Sequence, residues 1–210
     1  QLQQAFGYTA EDLRLIINPM AGERKEPTWS MGDDAPLAVL STAPRPVTAY
    51  FRQRFAQVTN PAIDSLRERR VMALDTYLGK RGNLLTRTPQ HAHLVHLKSF
   101  VLATHEFEAI QASPALEIVT LDATFALDGG SLQLRLSELG AEAIAAVQYG
   151  ATIILLSDTA VSHDRAHVPM ALAVGAIQHH LIDAGLRLNA DIISDAGDVW
   201  DVNQMAVLVG

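Results

Sequence analysis

Histidines are the first side chains here whose type and spacing invite chemistry. His91-Ala92-His93-Leu94-Val95-His96 sets three imidazoles close together. If that stretch is helical, His93 and His96 share a face while His91 and His93 do not. The chain has no cysteine, and only distant carboxylates are present to complete a tetrahedral metal set, so a solvated helix face is expected. His163 and His167 are four apart, but Asp164 and Arg165 between them read as a loop leading to Pro169. His179 and His180 are adjacent on a helix and so point roughly 100° apart, one toward the core and one at its edge. No metal site is expected.

Carboxylates follow. Ser157-Asp158-Thr159 comes directly after the apolar run 151–156, and Ser194-Asp195-Ala196-Gly197-Asp198 closes the run 190–194. If both runs are parallel strands, these residues stand where α/β proteins bind ligands. The same residue types also make turns and helix caps, and that is the reading preferred for them. Gly129-Gly130-Ser131 lacks the spaced glycines of a dinucleotide loop and the Gly-Lys-Ser/Thr of a P-loop, so it reads as the approach to a helix N-cap. No Gly-x-Ser-x-Gly elbow occurs, and the carboxylates do not single out an acid–base pair. The chain on its own is expected to hold no catalytic, cofactor or metal site. Two polar elbows remain: Ser30-Met31-Gly32-Asp33-Asp34, and Gln57-Val58-Thr59-Asn60-Pro61. Both place hydrogen-bonding groups on loops, and locally their Asp and Asn residues are turn formers and caps.

The elements that position these residues divide into two styles. Thr9-Ala10-Glu11-Asp12 starts a capped helix carrying Leu13, Ile16 and Ile17, predicted to stop before Pro19. A loop fills 22–34, a short buried strand or extended segment 37–40, and a helix bearing Tyr50, Phe51, Phe55 and Val58 ends at Asn60-Pro61. Asp64 caps a further helix with Leu66, Val71, Leu74 and Leu78 on its apolar side and Gly79 as its stop. Helices are also predicted over 89–97 and 104–111. From Leu116 strands (116–121, 151–156, 190–194) alternate with helices (131–149, 168–184, 199–209), the pattern of parallel strands joined by right-handed crossovers. This half is α/β, as an open sheet or a partial barrel.

Bulk properties exclude several classes. Of 210 residues, 49% are hydrophobic and 19% charged, the balance of a folded chain. A net charge of −7 argues against a nucleic-acid surface, and the cluster Arg67, Arg69, Arg70 reads as a solvated helix face. The run 151–156 is far too short to span a bilayer, so no membrane partner is expected. A cysteine-free chain suits the cytoplasm and rules out thiolate nucleophiles and thiolate-held clusters within it. Gln1-Leu2-Gln3-Gln4 and the apolar close Met205 to Gly210 lead us to expect a domain cut from a longer protein.

Several motifs, in order, resemble one family. They are Phe6-Gly7-Tyr8-Thr9, Ser30 to Asp34, Phe55-Ala56-Gln57-Val58-Thr59-Asn60-Pro61, Thr76-Tyr77-Leu78-Gly79, Ile153 to Asp158 and the stretch 169–186. Together they are similar to the central domain of the glutamate synthase large chain. The match loosens at Ala196-Gly197-Asp198 and Asn203-Gln204, where the family tends to carry Ser-Gly-Glu and a pair of histidines. The resemblance implies one domain over 1–210, with a mainly helical part (1–113) and a βα part (114–210) forming an incomplete TIM-barrel-like fold. It implies a structural and coupling role between glutaminase and FMN-binding domains of the same polypeptide. FMN and an iron–sulfur cluster are then expected in the neighbouring domain, not here. Ser30, Met31, Gly32, Asp33, Asp34, Gln57, Thr59 and Asn60 become candidates for the inter-domain surface or an ammonia tunnel. The alternative is a free-standing small α/β enzyme or ligand-binding domain using the loops after 151–156 and 190–194.

Overall fold

A computed structural model describes residues 2–25, 39–42, 45–51 and 63–210. The chain opens with helices α1 (Leu2–Ala5), α2 (Ala10–Asp12) and α3 (Asn18–Glu23). Thr9 and Asp12 form a reciprocal capping box at the start of α2, as its sequence predicts. Helical backbone does not stop before Pro19. Leu13–Ile17 forms a π-turn that carries the chain into α3, where proline sits at the start and needs no N–H donor.

The next stretch corrects four further expectations. Val39 and Leu40 lie exposed in a turn, not in a buried strand, while Leu37 and Ala38 fall outside the described residues. Val47–Tyr50 is a single 3-10 turn followed by extended Phe51, while Phe55 and Val58 fall outside the described residues. Asp64 does cap helix α4 (Ser65–Val71), accepting from the N–H groups of Leu66 and Arg67 at 3.0 and 2.9 Å. That helix ends at Val71, however, and Thr76–Leu78 is strand β1. Pro89–Ala92 is a 3-10 turn, and Val95–Leu97 is strand β2, antiparallel to β1 with Thr76 opposite Leu97. Helix α5 (Thr104–Gln111) lies where its sequence places it.

Beyond residue 113 expectation and structure agree closely. The remaining elements are β3 (Ile118–Asp122), β4 (Thr124–Ala126), α6 (Leu132–Gln148), β5 (Ile153–Ser157), β6 (Arg165–His167), α7 (Met170–Asp183), β7 (Asp191–Asp195) and α8 (Val202–Val209). Strands β3, β5 and β7 form a three-stranded parallel sheet in that spatial order, and β4 pairs antiparallel with β6. The chain is therefore mixed α/β. The short pair β4–β6 is too brief to show alternation and was not anticipated.

Central strand β5 is buried at every position, which explains its unbroken Ile-Ile-Leu-Leu run. Leu139, Ala143, Ile154, Leu156, Ile177 and Leu181 join the sheet to α6 and α7 in one core. The two helices meet closely at Gly140, where an added Cβ would fall 2.3 Å from the ring of His180. A smaller cluster of Leu78, Ile110, Leu116 and Ile153 fixes β1 and α5 to the other side. One polar clamp reinforces that attachment. Asp191, buried at the start of β7, accepts from the Gly79 N–H at 3.0 Å and pairs with Arg81 at 2.5 Å.

Candidate functional site

Parallel strands all end on one edge of their sheet, so Asp122, Ser157-Asp158 and Asp195 come together there with the loops that follow. Asp122 closes β3. It accepts from the Thr124 hydroxyl at 2.7 Å and pairs with Arg165 of β6 at 2.6 Å, while the same arginine donates to Thr124 Oγ1 at 2.8 Å. Ser157 donates to Asp195 at 3.1 Å and shares a 2.8 Å hydroxyl contact with Thr159. Asp158 is only 2% exposed and accepts from the Gly197 N–H at 2.9 Å, tying the loop after β5 to the loop after β7. Asp198 accepts from the Met170 N–H at 3.0 Å, which supplies the side-chain cap that Pro169 cannot give α7. Its other oxygen, Oδ1, is buried and unpartnered among the described residues. His167 Nε2 stands 4.0 Å from Asp198 Oδ2.

Burial dominates the electrostatics of this edge. It pushes Asp158 up to about 6; the Gly197 N–H bond opposes that rise, and the charges of Asp198 and Asp195 add to it. Burial also raises Asp198, against the Met170 N–H bond and the charge of His167. It lowers His167, which the charge of Asp198 only partly offsets. Tyr8 is raised by burial first and then by Asp198 and Asp158. Asp158 can therefore exchange a proton near neutrality while Tyr8 keeps its own.

An aromatic cover lies over the cluster. The Phe6 ring packs 5.1 Å from that of His167, and it occupies the space over Gly197, where an added Cβ would fall 2.4 Å from its edge. Tyr8 packs against Trp200 at 4.3 Å and donates to the Gly197 carbonyl at 3.2 Å. Residues 2–12 thus form a strap across the carboxyl ends of β5 and β7. Chemically, the arrangement is a closed polar knot whose carboxylates hold loops and a helix start.

The structure spreads the remaining candidate residues widely. Ser30, Met31, Gly32, Asp33, Asp34, Gln57, Thr59 and Asn60 lie outside the described residues. Pro46, Val47 and Thr48, between the two elbows in sequence, line a small cleft with Ala171, Asp198 and Leu208. His91 belongs to a 3-10 turn, whereas His96 lies on β2, pairs with Asp75 at 2.9 Å and stacks on Tyr77, so the expected helix face is a strand and a turn. His163 is exposed beside Asp164. His180 faces α6 with Nδ1 2.8 Å from the Ala176 carbonyl, and His179 is exposed. Among the described residues no group of three metal-ligating side chains converges. Ser131 caps α6, accepting from Leu134 N–H at 3.3 Å. Sequence reasoning missed Phe6, Tyr8, Arg165 and His167 as partners of the strand ends. Only the motif Phe6-Gly7-Tyr8-Thr9 marked any of them.

All of the chain, residues 1–210, matches a family model described as the glutamate synthase central domain. Ferredoxin-dependent glutamate synthase 2 of Synechocystis sp. is 48% identical over 215 residues, covering 100% of this chain and 14% of that protein. Chloroplastic ferredoxin-dependent glutamate synthase of Oryza sativa is 47% identical over 214 residues, with 99% of this chain and 13% of that protein covered. The large chain of NADPH glutamate synthase from Azospirillum brasilense is 46% identical over 210 residues, with 99% and 14% covered. The chain spans only 13–14% of the length of these relatives.

Proposed function

The chain belongs to the glutamate synthase central-domain family, and from that premise we propose that it is a structural and coupling domain of such an enzyme. It links a glutaminase domain to an FMN-binding synthase domain of the same polypeptide. It helps form the path by which ammonia from glutamine reaches 2-oxoglutarate, and it is inactive alone. The carrying observation is family identity along the whole chain combined with the small share of each relative that the chain represents.

Two features support the reading. The strand-end face is filled by Phe6, Tyr8 and mutually bonded polar groups, which suits a domain that positions others. The order β3-β5-β7, with α6 and α7 between consecutive strands, is that of successive barrel strands, and we read the fold as an incomplete TIM-barrel-like unit. A chain without cysteine offers an iron–sulfur cluster no thiolate, so that cluster is assigned to the neighbouring domain, where the family reading also places FMN. The same composition fits a cytoplasmic enzyme. No helix among the described residues is long and apolar enough to cross a membrane.

Both elbows belong at the inter-domain surface in this reading. Gln57, Thr59 and Asn60 are suitable types for such a path, able to donate and accept hydrogen bonds to neutral ammonia, whereas Asp33 and Asp34 would rather bind ammonium. Asn60→Ala in the full-length enzyme should hydrolyse several glutamines for each 2-oxoglutarate converted, read from the ratio of the two turnovers. Unchanged one-to-one coupling removes Asn60 from the path. Stoichiometric FMN binding, or turnover of glutamine and 2-oxoglutarate by residues 1–210 alone, would overturn the coupling-domain reading itself.

A further inference from the structure

Among the described residues, strand β3 has one hydrogen-bonding edge paired and one open. Glu117 O accepts from Ile153 N at 3.1 Å, and Ala123 N donates to Ser157 O at 2.8 Å, so the odd-numbered residues of this stretch turn their backbone toward β5. A two-residue period then turns the N–H and C=O groups of Ile118 and Thr120 outward. Among the described residues β3 pairs with β5 alone. Only the far end is closed. Arg135 donates to the Asp122 carbonyl at 2.9 Å from Nη2, which caps the edge beyond Thr120.

Beside this open edge runs a groove of about 790 Å³, lined by Ile118, Val119, Ala146 and Tyr149, with Glu117 and Glu142 also on its wall. Tyr149 is 94% exposed although it ends the helix that packs on the sheet. A row of free backbone donors and acceptors next to an apolar groove is the arrangement that accepts an added strand.

We propose that the outer edge of β3 receives an extended segment of the same longer polypeptide, from outside residues 1–210. That segment hydrogen-bonds to Ile118 and Thr120, lays alternate apolar side chains against Val119, Ala146 and Tyr149, and brings a lysine or arginine to Glu117. The proposal rests on the reading that this chain works inside a longer enzyme, since 86–87% of each relative lies beyond the matched part (100 − 14 and 100 − 13). A second copy is a poorer occupant. Two β3 edges pairing would bring together two chains that each carry a net charge of −7.

Residue-resolved hydrogen exchange on the full-length enzyme tests this. The amides of Ile118 and Thr120 should exchange roughly 100-fold or more slower than unstructured peptide, with Val119 and Leu121 as protected internal controls. Exchange of Ile118 and Thr120 near the unstructured rate, with the controls still protected, overturns the proposal. Thr120→Pro removes an N–H that β5 does not use, so it should release Ile118 while Val119 and Leu121 stay protected. If Ile118 remains protected in that variant, no strand is bonded there. Benzoylphenylalanine in place of Tyr149 should cross-link within one polypeptide to a segment outside residues 1–210; a cross-linked dimer, or a link back into residues 1–210, overturns it. None of these readouts needs turnover. Loss of the coupling role of Asn60 would leave them unchanged, and an unprotected edge would leave the one-to-one ratio to be judged separately.

Discussion

Residues 114–210 and residues 2–113 bury their apolar side chains in different ways. The first region encloses its own core: Leu139, Ile154, Leu156, Ile177 and Leu181 are all fully buried between one sheet and two helices. In the second, Leu66 is 89% and Leu85 95% exposed, and Val71, Met72 and Leu74 also face outward. Elements there are short, with α5 the longest described at eight residues. One region folds around itself. The other is attached to it by a small cluster, the Asp191–Arg81 clamp and the strap, and it presents apolar surface of the kind that a neighbouring surface covers.

The sharpest way to break the comparison is to truncate one leucine from each region. Leu156→Ala should lower unfolding free energy by about 3–4 kcal/mol, because it removes fully buried methyl groups and leaves a cavity. Leu85→Ala should change it by less than about 0.5 kcal/mol. Urea denaturation of both decides. Similar losses would mean that the first half is as closed as the second.

A second, smaller effect comes from the strand ends. Asp158 is raised to about 6, so the folded chain holds that proton more tightly than the unfolded chain, where the group titrates near 3.8. Its ionised form therefore costs stability above pH 6, and that cost disappears as pH falls toward 4. Asp158→Asn, whose amide oxygen can still accept from Gly197, should stabilise the protein by up to about 2–3 kcal/mol at pH 7 and by almost nothing at pH 4. His167 works in the opposite direction, since its lowered value makes the fold lose stability as pH drops below 6.5. Comparing the variant with its parent cancels that contribution. Thermal melts at pH 7 and pH 4 check the sign; a variant less stable at pH 7 would show that the Gly197 bond outweighs the buried charge.

Next in size is the joint between the regions. Arg81→Met leaves Asp191 buried with one partner fewer, at a cost of roughly 2 kcal/mol after allowing for the partial exposure of the arginine. Its more specific consequence is where the chain opens. Limited proteolysis should cut within 63–113 faster than in the parent while 114–210 stays intact. Simultaneous loss of both regions would contradict the two-part picture.

The same contrast explains how much was legible in the sequence. Helices α6 and α7 run long enough for their apolar period, the Ser131 cap and the stop at Gly185 to specify them locally. Strand β5 announces itself by a run that only a doubly covered strand needs. Segments 72–79 and 89–97 gave the opposite experience. Leu66, Val71, Leu74 and Leu78 have helical spacing, yet Thr76–Leu78 pairs with Val95–Leu97, and Gly79 is fixed by Asp191 from 112 residues away. Three-residue strands carry no readable alternation, so pairing that spans the chain decides them. At the strand ends the polar residues were legible by position, while their cover was not. Tyr8 reaches Gly197 across 189 residues, and no local pattern signals such a contact.

That strap supplies the finest test of the comparison, because it belongs to residues 2–113 in sequence and to residues 114–210 in contacts. Phe6 and Tyr8 touch His167, Gly197 and Trp200, all beyond residue 113. Tyr8→Phe removes one part-buried hydrogen bond and should cost about 1 kcal/mol, leaving the ring against Trp200. Tyr8→Ala also removes the ring and should shift Trp200 fluorescence to longer wavelength, read in a Trp29→Phe background so that a single indole reports. If the strap is seated on the βα region, this shift occurs together with faster exchange at Gly197, while the Thr76–Leu97 pairing stays protected. Loosening of β1 and β2 instead would assign the strap to residues 2–113 and move the boundary between the two halves.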